Sequence, residues 1–145
     1  MPEKETIERA REDAREGKSP STQAGEFVRE EIHHVREGKH GARSPQQAIA
    51  IGLSKARRAG VKLAPPKGSA SLRKRAAQDE SAGENPRRKT SRTRSRATSG
   101  ALKRESKGAA SHRAISRQAK KSASRRGASS RQAAARKAAR TRKAA

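Results

Sequence analysis

The sequence predicts a mainly α protein in two unlike parts: a small three-helix module over residues 1–66, followed by a long disordered basic tail over residues 67–145. Three observations predict this. Only thirteen of the 145 residues are Leu, Ile, Val or Phe, and ten of these precede Pro66, which leaves the tail with Leu72, Leu102 and Ile115. So little large apolar surface, joined to high charge, is the composition of a chain that does not bury a core. Charge divides at the same place: the module holds thirteen Lys/Arg against ten Asp/Glu, the tail twenty-five against four, out of a net +24. Pro65-Pro66 marks the join, because consecutive prolines hold the chain extended and cannot continue a helix.

Within the module, Ile7, Ala10 and Ala14 recur at helical spacing in a run dense with Glu and Arg. They predict a helix over about residues 3–16, stopped at Gly17. Ser19-Pro20 offers a cap with Pro at the first helical position. Ala24, Phe27, Val28, Ile32 and Val35 then trace one apolar stripe, giving a helix over 20–37 that ends at Gly38. A third helix, over 45–59, begins at Ser44-Pro45-Gln46-Gln47, where Ser caps and Gln47 is placed to reach back to the cap's own N–H. Ala48, Ile49, Ile51, Leu53 and Ala56 form its apolar face, and Ala59-Gly60-Val61 has the pattern of a glycine ending with a hydrophobic clasp. Ten large apolar residues make only a marginal core. The Phe27, Val28, Ile32, Val35 stripe and the Ile49, Ile51, Leu53 face are therefore expected to serve self-association or a protein partner.

The tail is built almost wholly from Arg, Lys, Ser, Thr, Ala and Gly, and of the chain's 28 alanines half follow Gly100. Alanine gains little from burial and suits a solvated helix, so these residues are not counted towards a core. A helix-competent stretch lies near 129–143, where Ser129-Ser130-Arg131-Gln132 resembles a capped start. Repulsion among Arg136, Lys137, Arg140, Arg142 and Lys143 opposes that helix, which is expected to form on binding a polyanion.

Catalysis finds little support. The chain has no cysteine, which removes disulfides, thiolate chemistry and sulfur-based zinc sites. No run is long and apolar enough for a membrane span, and the charged N-terminus lacks the apolar centre of a secretory signal, so a cytoplasmic location is expected. His33, His34 and His40 with Glu30 and Glu31 form one cluster of metal-ligating type, Glu30 and His34 sharing a helix face. They lack the His-Glu-x-x-His order and a ligand from a second element, so no metal, no cofactor and no catalytic residue is assigned. Gly17-Lys18-Ser19 copies the end of a phosphate-binding loop, yet Glu12 stands where that loop needs its first glycine.

The tail's charge points to nucleic acid. Arg73, Lys74 and Arg75, then Arg87, Arg88 and Lys89, then Arg92, Arg94 and Arg96, with Lys103 and Arg104, are candidate phosphate-binding residues in its first half. Lys120, Lys121, Arg125, Arg126, Arg131, Arg136, Lys137, Arg140, Arg142 and Lys143 continue the series. Arg outnumbers Lys sixteen to nine there, which favours bidentate phosphate contacts. Contact with phosphates and release of condensed counterions need no sequence readout.

The stretch Gly38-Lys39-His40-Gly41-Ala42-Arg43-Ser44-Pro45-Gln46-Gln47-Ala48-Ile49-Ala50-Ile51-Gly52-Leu53-Ser54-Lys55-Ala56-Arg57-Arg58-Ala59-Gly60 resembles the core of an uncharacterised family of short basic bacterial and phage proteins. The likeness covers roughly residues 1–66 and implies a bacterial or phage origin, without an activity. In composition alone the tail is similar to the arms of bacterial histone H1-like proteins. The expectation is a non-enzymatic, nucleoid-associated or accessory protein that binds duplex DNA nonspecifically. Its rivals are an RNA- or ribosome-associated protein, and a protein–protein adaptor or phage accessory factor whose tail only localises it.

Overall fold

Helix starts and stops follow the local signals closely through the first 66 residues. In the computed structural model, which describes residues 2–85 and 91–144, α1 spans Lys4–Arg15, α2 Pro20–Glu37 and α3 Pro45–Arg58. Gly17, Gly38 and Gly60 all take the left-handed conformation that ends a helix. At each, the next residue's N–H closes the last turn: Lys18 onto the Asp13 carbonyl (2.9 Å), Lys39 onto His34 (3.0 Å) and Val61 onto Ala56 (3.0 Å). The start of α3 is a variant of the expected capping box. The Gln47 N–H donates to Ser44 Oγ (3.2 Å), but the Gln47 side chain accepts from the Arg43 N–H (2.7 Å), one residue before the cap.

The tail is where expectation and structure part. Far from disordered, it forms α4 (Ala70–Glu84), α5 (Arg92–Lys103), a 3-10 turn (Lys107–Ala110), α6 (His112–Arg125) and α7 (Ala128–Ala144). The helix expected near 129–143 is present as α7. No strand occurs among the described residues. The chain divides into two units, Met1–Ser111 and His112–Ala145, so the first unit extends well past Pro66.

The physical reason is alanine. In the first unit α2 packs against α1 and α3, and α4 packs against α3. The buried hydrophobic residues there are Phe27, Val35 and Val61 together with eight alanines. One cluster joins Ala10, Ala24, Phe27, Ala56 and Val61, flanked by Ile7, Leu53 and Leu63; a second joins Val35, Ala42, Ala48, Ala109 and Ala110, flanked by Ile32. Small side chains let helix backbones approach closely, and this core is close-packed rather than rich in large residues. Gly52 marks a close approach of α3 to α2, since a Cβ there would lie 2.7 Å from Val28 Cα, and Gly83 marks another of α4 to α3, against the Arg57 carbonyl. Phe27 and Val35, expected on a partner-binding stripe, are core residues; Val28, Ile32, Ile49, Ile51 and Leu53 are half-buried.

The four acidic residues beyond Pro66 explain how the basic chain docks on the module. Asp79 accepts from Ser54 Oγ and Arg58 Nε, both at 2.7 Å, while Glu84 (2.7 Å) and Glu80 (3.7 Å) face Lys62. Glu105 lies 3.7 Å from Arg43. The backbone adds Gly41 N–H to the Leu102 carbonyl (2.8 Å) and Ala42 N–H to Ser106 (3.1 Å), and Arg36 Nε donates to the Ala110 carbonyl (2.8 Å).

Candidate nucleic-acid interface

Once those acids are engaged, the remaining cations form the most distinctive surface of the chain. The second unit carries twelve Lys/Arg and no Asp or Glu. On α6, Arg113, Arg117, Lys120 and Lys121 fall at i, i+4, i+7 and i+8 and are exposed together on one face, with the half-buried Ala114, Ile115 and Gln118 beside them. On α7, Arg136, Arg140 and Lys143 repeat the i, i+4, i+7 spacing with Lys137 alongside, all exposed. Arg125 and Arg126 close α6, and Arg131 donates across the junction to the Arg126 (2.8 Å) and Ala123 (3.3 Å) carbonyls, which ties the start of α7 to the end of α6. Arg142 is exposed near the end of α7.

In the first unit, Arg73, Lys74 and Arg75 are exposed on α4. Arg92, Arg96 and Lys103 line one face of α5, with Arg94 on another and Arg104 at its cap. None of these eight has an acidic partner among the described residues. Arg87, Arg88 and Lys89 lie outside the described residues. Sequence reasoning passed over Arg113 and Arg117, although their spacing to Lys120 and Lys121 is the signal that completes the α6 stripe.

A second, quite different polar site lies inside the first unit. Glu31 is fully buried and Glu30 is 5% exposed. Lys55, reaching from α3, sits 2.7 Å from Glu31 Oε2 and 3.1 Å from Glu30 Oε1. Burial alone would lower the Lys55 pKa; the close ion pair with Glu31, and the hydrogen bond and attraction to Glu30, outweigh it and hold it above the ordinary value. Burial likewise opposes ionisation of Glu30, yet the hydrogen bonds from Lys55, Thr6 and the Glu3 N–H keep its pKa below the usual carboxylate value. The turn at Gly38 brings His40 back, with Nε2 3.2 Å from Glu31 Oε1. His34 Nε2 lies 2.9 Å from Glu3 Oε1, and its hydrogen bond is the leading cause that lowers the Glu3 pKa. His33 is exposed and stands apart.

The surface groove lined by Glu5, Glu8, Arg9, Arg11, Glu12 and Arg15 on α1 is a row of helix-surface charges with no buried polar group aimed into it. No helix among the described residues is long and apolar enough to cross a membrane.

Neither a curated protein nor a solved structure matches the chain. Residues 15–68 match the model of a family of unknown function, DUF6496, so the shared segment holds α2, α3 and the Glu30, Glu31, His34, His40 and Lys55 cluster, whereas the cationic helices lie beyond it.

Proposed function

We propose that the protein binds duplex DNA without sequence preference, through phosphate contacts of its exposed cationic helices. The observation that carries this reading is the second unit: twelve Lys/Arg without one acid, presented as stripes on α6 and α7. Successive stripe residues at i and i+4 stand about 6 Å apart along a helix axis, so one helix face offers a row of donors to a row of phosphates. Arginine adds bidentate geometry to that charge. Each neutralised phosphate releases condensed counterion, and affinity then falls with salt at a log–log slope near −0.9 per contact, or about −9 for ten contacts.

Aromatic stacking, the usual means of holding single strands, has no exposed Phe, Tyr or Trp to use. The one Phe is Phe27, buried in the core, and Trp and Tyr are absent. The first unit, anchored by its alanine core, serves as the scaffold, and a nucleoid-associated role is the cellular setting this chemistry suits. Titrating salt against duplex DNA and structured RNA with the full chain tests the proposal. Steep, sequence-independent DNA binding supports it, and a clear RNA preference at matched salt overturns it.

A further inference from the structure

The cluster at the end of α2 has a feature that ion pairing leaves unexplained. Glu31 is fully buried, with Lys55 beside Oε2 and His40 beside Oε1, yet neither oxygen receives a well-directed hydrogen bond. The two imidazoles are oriented from outside. His40 Nδ1 is 3.0 Å from the Gly41 carbonyl, which can only accept, so Nδ1 carries the proton and in the neutral ring Nε2 turns a lone pair towards Glu31 Oε1. His34 Nε2 is 2.9 Å from the Glu3 carboxylate, also an acceptor, so the lone pair of the neutral ring is on Nδ1, which faces inward 3.9 Å from Glu30 Oε1. Lone pairs on a carboxylate and two imidazoles thus converge, and one ligand atom each of Glu31, His34 and His40 lies within 4.8 Å of the others. A cation bound among them would satisfy these lone pairs together.

We propose that Glu31, His34 and His40 bind a divalent transition-metal ion of zinc type. The donors are Glu31 Oε1, His40 Nε2 and His34 Nδ1, a two-imidazole, one-carboxylate set that leaves the fourth tetrahedral position to water. Glu3 and the Gly41 carbonyl are the outer partners that fix the ring tautomers, the arrangement that orients metal-bound histidines. Lys55 holds Glu31 Oε2 and leaves Oε1 for the ion. The turn at Gly38, with φ of 79°, is what folds His40 back onto the face that carries His34 and Glu31, a placement that spacing along the chain does not reveal.

The test is Zn²⁺ titration of the full chain by calorimetry, with Co²⁺ as a spectroscopic substitute. One equivalent is expected, with the visible bands of four-coordinate Co²⁺. His34→Ala and His40→Ala each weaken binding at least about tenfold, while His33→Ala and His112→Ala leave it unchanged. A readout independent of whether variants fold is the imidazole spectrum of the unaltered chain: Zn²⁺ shifts the ring resonances of His34 and His40 and spares those of His33 and His112. Absence of stoichiometric binding by the full chain, or resonance shifts confined to His33 or His112, overturns the site.

Discussion

Replacing Lys55 with methionine removes the ammonium that touches both buried carboxylates while keeping the length and apolar stem of the side chain. Glu31 is fully buried and Glu30 nearly so, and Lys55 meets them at 2.7 and 3.1 Å. Glu30 keeps the Glu3 N–H and Thr6, but among the described residues Glu31 is left with His40. Removing one partner of a buried pair strands a charge away from water and costs about 3–5 kcal/mol, against about 0–1 kcal/mol for an exposed pair. The side chain of Lys55 is 19% exposed, which places this contact with the buried class. At an m-value of about 2 kcal/mol/M the urea midpoint falls by about 2 M, read from helical circular dichroism. The companion variant decides the cause. Glu31→Gln with Lys55→Met removes both charges, and it is expected to be more stable than Lys55→Met alone. A loss below about 1 kcal/mol for Lys55→Met, or a double variant as unstable as the sum of the singles, would refute a buried charge pair as the link between α2 and α3.

Other consequences follow from the same geometry. Gly52→Ala drives a Cβ to 2.7 Å from Val28 Cα, a backbone atom that cannot yield cheaply, and is expected to cost about 1–3 kcal/mol by urea unfolding; a neutral result contradicts the close crossing of α2 and α3. Ser44→Ala removes the oxygen that accepts from the Gln47 N–H and should cost about 1 kcal/mol in the same assay. The Lys62 ammonium is held above its ordinary pKa of 10.5 chiefly by its hydrogen bond to Glu84. Its contribution to docking α4 is therefore complete below 10.5 and lost only as pH rises through the raised value, and Lys62→Gln should erase that alkaline phase of the melting profile. Neutralising Arg136, Lys137, Arg140 and Lys143 together to Gln should flatten the salt slope of DNA binding by about four without unfolding α7.

The module was legible because helix ends are written locally. Ser44 and Pro45, then Gly38 and Gly60, announce the boundaries of α2 and α3 within a residue or so, and Val61 folds under α3 as its place after Gly60 implies. The tail misled because a count of large side chains is blind to close-packed alanine. Ala76, Ala109 and Ala110 are as buried as Phe27 or nearly so, and they need only a neighbouring backbone that comes close. The visible signal was the placement of four acids in a basic chain: Asp79, Glu80 and Glu84 fall on one helix and meet Ser54, Arg58 and Lys62, and Glu105 meets Arg43. The cationic residues themselves were readable from composition, but their grouping on helix faces was not, since a disordered tail has no faces. His40 was present in the sequence cluster with His34 and Glu31, whereas the direction of its ring depends on the turn at Gly38 and the Gly41 carbonyl.

The central claim is that the acid-free helical unit supplies the phosphate contacts. Its most direct test is the salt dependence of duplex-DNA affinity measured side by side for the full chain and for a chain ending at Ser111, since the first unit keeps its own core without residues 112–145. The predicted result is a steep log–log slope for the full chain, near −9 if about ten phosphates are engaged, that collapses to a small fraction in the shortened chain. An unchanged slope and affinity after the removal of α6 and α7 would contradict the account.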